Sequence, residues 1–147
     1  MAVLLMGNPA RSVPDRTATF LSRAWAVTSD PAKVDRSVMQ ALLDFFPSDK
    51  RLASPKDPFD ATDVVSGRPT RRFLLAGEAQ SCWFVAYEHG GRGHHIHLVV
   101  FDTSPSKPSV QFAATGSAGV HDDIAGWQVL RAAVTGRQLR ELISDEF

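Results

Sequence analysis

Apolar and polar residues alternate along two stretches in the middle of the chain, Ser81–His89 and His94–Asp102, with the cluster Gly90-Gly91-Arg92-Gly93 between them. Aromatic and β-branched residues at a period of two, interrupted by glycines, predict a β-hairpin. A two-residue turn at Gly91-Arg92 puts glycine at the first central position, where a type II′ turn has φ > 0. That turn sets His89 opposite His94, Glu88 opposite His95, Ala86 opposite His97 and Trp83 opposite Val100. One face then carries Trp83, Val85, Tyr87, Ile96, Leu98 and Val100 and reads as core. The other carries Phe84, Ala86, Glu88, His95, His97, Val99 and Phe101, apolar at its base and polar near the turn. A slip of one residue would exchange the faces of the second strand.

Upstream the period changes. Phe20, Leu21, Ala24 and Trp25 recur at helical spacing between Asp15 and Thr28, which predicts a first helix capped by Asp15. Asp30-Pro31 supplies a cap and a proline suited to a first helical turn. The stripe Val34, Val38, Met39, Leu42, Phe45 and Phe46 then predicts a second helix, ended by Pro47.

From Ser48 to Pro69 the chain is rich in proline and poor in periodicity, and a structureless stretch of that length is uncommon inside a domain. It reads as a functional loop or as partly helical. Asp57-Pro58 could open a short helix through Val64 and Val65, placing Asp57, Asp60 and Asp63 along one side as a solvated acidic face.

Arg71–Ala76 reads as a strand leading into the hairpin, and Ser109–Ala114 as a fourth strand after the turn Thr103–Pro108. Asp122 or Asp123 would cap a helix carrying Ile124, Trp127, Leu130, Ala133 and Val134. Gly136 would end it, with a final helical turn at Leu139, Leu142 and Ile143. No internal repeat and no second-domain boundary is evident. Residues 1–147 thus read as a single α+β domain, a four-stranded antiparallel β-meander packed against N-terminal and C-terminal helices.

Composition narrows the class. A 147-residue chain with 44% hydrophobic and 22% charged residues can bury an ordinary globular core. Such a domain buries roughly 70% of the surface its unfolded chain exposes. Sixteen basic and sixteen acidic residues cancel, which argues against nucleic acid or an anionic membrane as a partner held by bulk charge. Twelve of the sixteen bases are arginine, a residue suited to local bidentate contacts. The single Cys82 cannot form an internal disulfide, and Ala2–Met6 is too short and lacks the basic flank of a signal peptide. No apolar run approaches the ~20 residues of a membrane span. A cytoplasmic location is the expectation.

Four of the five histidines lie between positions 89 and 97, the most unusual local feature of the chain. On the register above, Glu88, His95 and His97 share one face, and two imidazoles with a carboxylate form a known metal-ligand set. Exposed histidines at a hairpin end could equally contact a partner and respond to pH. Gly116-Ser117-Ala118-Gly119 lacks a following lysine and precedes two aspartates, a poor phosphate cradle. Arg68, Arg71 and Arg72 form the one basic cluster, beside Phe73.

The expected function is therefore a small soluble protein-binding domain without catalytic activity or cofactor, of the inhibitor, immunity-protein or adaptor kind. Its contact residues would be Arg71, Arg72, Glu88, His89, Arg92, His95 and His97. The alternative is a metal-dependent hydrolase or small-ligand enzyme with Glu88, His95 and His97 as ligands and an aspartate of the long loop as base or fourth ligand.

Overall fold

Asp30 and Asp35 each start a helical segment. In the computed structural model, which describes residues 23–91, 95–117 and 140–141, Asp30 accepts a hydrogen bond from Ala32 N at 3.0 Å and opens a 3-10 turn, Pro31–Lys33. Val34 is extended and breaks the run, so the single predicted helix is divided. Asp35 then accepts from Ser37 N at 2.7 Å and caps helix α1, Arg36–Phe45. The helix stops where Phe46 turns extended ahead of Pro47. Lys50 Nζ donates to the terminal carbonyls of Asp44 at 3.0 Å and Phe46 at 2.6 Å, satisfying groups that the helix itself leaves open.

The strands are β1 (Ala26–Thr28), β2 (Arg71–Ala79), β3 (Cys82–His89), β4 (His95–Asp102), β5 (Ser109–Ser117) and β6 (Arg140–Glu141). They form one antiparallel sheet in chain order. The protein is thus mixed α+β with an antiparallel sheet, and the described sheet has six strands rather than the expected four. The predicted N-terminal helix is corrected over its last residues: Ala26, Val27 and Thr28 pair with Glu78, Gly77 and Ala76 as an edge strand. Backbone pairing to β2 overrides the helical spacing there. The rest of that helix and the predicted C-terminal helix from Asp122 lie outside the described residues, except that Arg140–Glu141 is strand.

The hairpin forms as predicted but one residue out of register. His89 pairs with His95, Glu88 with Ile96, Ala86 with Leu98 and Trp83 with Phe101. Five residues, 90 to 94, separate the paired histidines, an odd number, whereas a two-residue turn requires an even one. Gly91 does adopt the expected positive φ, 118°. Gly90 is held at the end of β3. Its N–H donates to Thr70 O at 2.9 Å, and a Cβ on it would lie 1.9 Å from Asp60 O, so the chain leaves β3 pressed against the preceding loop.

The slip decides both faces. Val38 and Leu42 of α1, with Val34 and Phe46 flanking it, pack on a face made of Phe73, Trp83, Val85, Tyr87, Val99 and Phe101. Leu75, Phe84, Ala86, Ile96, Leu98 and Val100 form a second cluster on the opposite face, joined by Trp25. Every residue from Cys82 to Glu88 is buried, as expected of a central strand with apolar packing on both sides.

The 48–69 segment contains no helix. Ala53 forms a parallel bridge to Arg72, its N–H donating to Arg71 O at 2.9 Å and its carbonyl accepting from Phe73 N at 2.9 Å, so this segment covers part of the edge of β2. Asp60 turns inward instead of lining an acidic helix face with Asp57 and Asp63. Gly90→Ala, which drives a methyl group into the Asp60 backbone, is expected to destabilise the protein by about 1–3 kcal/mol. Urea denaturation measures the loss, and hydrogen exchange should show the amide at position 90 released from Thr70 O.

Candidate functional site

Two features at the turn end of the sheet carry the chemistry. The first follows from the register. His89, His95 and His97 point to the α1 side of the sheet, with the His97 ring 5.4 Å from His89 and 6.2 Å from His95. His97 also stacks on Tyr87, centroids 5.1 Å apart and planes 18° from parallel. Arg71 is the cross-strand partner of His89, and its guanidinium lies 4.3 Å over the ring of Phe46, which meets Tyr87 edge-on at 5.1 Å. Arg71 Nη1 donates to Ser48 O at 3.0 Å and Asp49 O at 3.1 Å.

Burial orders this cluster. Arg71 is 2% exposed and His97 3%, His89 is half-buried, and His95 is exposed at the rim. Burial, with the Arg71 charge next and His95 after it, pushes His89 down to about 4. Burial, followed by the neighbouring His89, His95 and Arg71, pushes His97 down to about 3. Both imidazoles are therefore neutral at neutral pH. Burial also raises the Tyr87 phenol well above its ordinary value, partly offset by the Arg71 cation.

Glu88 belongs to the other face. Its carboxylate receives Arg72 Nε at 2.7 Å and Arg72 Nη2 at 2.6 Å, and the Arg72 guanidinium lies 4.4 Å over Phe59. The sheet thus separates Glu88 from His95 and His97, and the expected three-ligand set is not assembled. Among the described residues no group of three or more His, Cys, Asp or Glu is placed to hold a metal ion. Of the expected contact residues, Arg71, Glu88 and His97 are buried, and Arg72 is committed to Glu88. His95 and part of His89 remain at the surface, while Arg92 lies outside the described residues.

The second feature is the 60–69 loop. Asp60 is buried, and its carboxylate accepts Ser66 N at 2.9 Å and the Ser66 hydroxyl; those bonds hold it below the usual carboxylate range. Asp60 N donates to Pro69 O at 2.8 Å, closing the base of the loop. Arg51 fastens the returning limb, with Nη1 donating to Gly67 O at 3.0 Å and Nη2 to Arg68 O at 3.4 Å. Its Nε in turn donates to Asp49 Oδ1 at 2.6 Å. The clamped loop presents Val64, 71% exposed, and Val65, 83% exposed. Arg51 also lines a cleft of about 400 Å³ floored by Met39, Leu43, Leu52, Ala53 and Phe73.

Sequence reasoning singled out the long loop and the histidines but missed Tyr87, Phe46 and Asp60 as the residues that organise them. Asp60 and Ser66, six apart on either side of two valines, were the available indication of a closed loop. No helix among the described residues is long and apolar enough to cross a membrane. No protein-family model, no curated protein and no solved structure matches the chain.

The histidine cluster predicts the acid response. Unfolded histidine titrates near 6.5, above the values of about 4 and about 3 for His89 and His97 in the fold, so below 6.5 the unfolded chain binds more protons. Stability from the two neutral imidazoles is complete above 6.5 and is lost as pH falls toward 4. Chemical denaturation across that interval should show a falling unfolding free energy, with a shallower slope in His97→Gln than in the parent.

Proposed function

We propose that this chain is a small protein-binding domain without catalytic activity, of the inhibitor, immunity-protein or adaptor kind, and that it meets its partner through the 60–69 loop. The observation that carries this reading is the exposure of Val64 and Val65 side by side on a loop whose base is fixed by Asp60, Ser66 and Arg51. Isolated apolar residues on a surface are ordinary, but two adjacent ones held out on a braced loop provide an apolar contact in advance of binding. Bracing also supports affinity, because the loop loses little conformational freedom when it docks. The cleft beside Arg51 offers a neighbouring apolar recess for a partner side chain, and His95 extends the polar rim. A cytoplasmic setting is part of the proposal, consistent with Cys82 as a buried free thiol.

The double substitution Val64→Asp/Val65→Asp tests the reading without touching the core. Crosslinking capture from a lysate of the source organism identifies bound proteins, and the affinity of the best candidate is then measured with purified components. The variant should lose about 2 kcal/mol or more of binding, roughly thirtyfold in affinity, while its unfolding midpoint stays that of the parent. Equal affinity for parent and variant would remove the loop from the interface and the reading with it.

A further inference from the structure

In the 60–69 loop the chain bends at 62–63 and again at 67–68, where Gly67 takes a φ of 84°, and it runs without turn or bend through Val64, Val65 and Ser66. Val64 and Val65 are 71% and 83% exposed on this unbent stretch. The bonds that hold it fall on its C-terminal side. Ser66 N donates to Asp60 Oδ2 at 2.9 Å and the Ser66 hydroxyl donates to Asp60 Oδ1, while Gly67 O and Arg68 O accept from Arg51. Asp60 is buried, with Gly90 against its carbonyl, so the anchor belongs to the body of the domain.

The amide that follows the most exposed side chain is therefore the tethered one. Were the Val65–Ser66 bond cut, the new amine at Ser66 would stay bonded to Asp60, and the two residues after it to Arg51. Residues 61–64 join the other cut end to Asp60 through the main chain, so both ends converge on one residue. A nucleophile kept beside its electrophile reacts as if at very high concentration, and a peptide end held in this way can re-form the bond it lost. An endopeptidase also reads a chain of this form: successive exposed side chains enter its cleft, and one dominant pocket takes the residue before the scissile bond. Val65, aliphatic and β-branched, fits a small apolar pocket of the elastase kind.

We propose that Val65–Ser66 is the reactive bond of a reversible inhibitor loop for a serine endopeptidase with a small apolar specificity pocket, Val65 entering that pocket and Asp60 and Arg51 acting as positioning residues. The proposal rests on the protein-binding reading of the same loop and names its partner class. The partner's serine hydroxyl adds to the Val65 carbonyl and gives its proton to the partner's histidine. Collapse passes that proton to the Ser66 nitrogen and breaks the C–N bond, leaving Val65 as an ester on the serine and Ser66 as a free amine. Asp60 and Arg51 keep the amine beside the ester. Its attack restores the peptide bond and the serine hydroxyl faster than water hydrolyses the ester, and the partner stays occupied.

The test uses the full-length protein with pancreatic elastase, chymotrypsin and trypsin, following initial rates on chromogenic peptides and, after long incubation, the mass of the protein. Elastase should be inhibited with a Kd of about 1 μM or tighter, and trypsin about a hundredfold more weakly. Any cleavage should fall at Val65–Ser66 and stop at a mixture of cut and intact protein. Val65→Arg changes one solvent-exposed side chain, so it should keep the parent's unfolding midpoint while losing about a hundredfold on elastase and gaining inhibition of trypsin. Asp60→Asn weakens the tether on the leaving amine, and elastase should cut it to completion at the same bond. Complete cleavage of the parent, cleavage elsewhere in the loop, no inhibition of any of the three enzymes, or an unchanged preference in Val65→Arg would each overturn the proposal. A partner that is not a peptidase, but whose affinity falls in Val64→Asp/Val65→Asp, would overturn it while leaving the loop as the docking surface.

Discussion

The pairing of His89 with His95 decides what each face of the sheet is made of. β3 is apolar on both sides, so its own pattern is compatible with either register of β4. At the end of β3 the backbone of Gly90 is tied down. With no side chain, this residue lies against Asp60 O and donates to Thr70 O, locking the hairpin end to the long loop. This register places His89, His95 and His97 on the face that carries Tyr87 and leaves Glu88 on the other.

That dependence explains which parts of the fold were legible in the sequence. The stripe Val34, Val38, Leu42 and Phe46 is a packing pattern, and it does pack, because its residues meet the aromatic face of β2, β3 and β4. The strand content of Arg71–Ser117 was legible for the same reason, since β-branched and aromatic residues favour a pleated, buried surface. The register was not. A run of glycines permits turns of several lengths, and Gly90 itself is held by residues twenty and thirty positions earlier, Thr70 and Asp60. The division of the helix at Val34 was equally hidden, because Asp30 and Asp35 are both competent caps and the sequence ranks neither above the other.

The candidate site was legible in its residue types and not in its arrangement. Histidines at 89, 95 and 97 and arginines at 71 and 72 do gather at one end of the sheet, as the sequence suggested. Their partners were assigned across the wrong faces. Glu88, read as a metal ligand beside His95 and His97, is instead the counter-ion of Arg72. The long loop was recognised as unusual from its prolines, but its closure by Asp60 and Ser66 depends on a buried carboxylate that read from sequence as part of a solvated acidic row.

Arg71 and Arg72 show how one local sequence serves two electrostatic ends. Each guanidinium lies over an aromatic ring, Phe46 at 4.3 Å and Phe59 at 4.4 Å, so stacking does not distinguish them. The strand's alternation does. On one face Glu88 closes an ion pair whose removal would strand a buried charge, so the pair acts as a fastening between β2 and β3. On the other face the cross-strand residue is His89, which is neutral, and the Arg71 charge instead lowers the proton affinity of the imidazoles around it. The same pleat that gives Arg72 a carboxylate across the strand leaves Arg71 to the carbonyls of Ser48 and Asp49, with the Asp49 carboxylate acting on it from beyond hydrogen-bond reach.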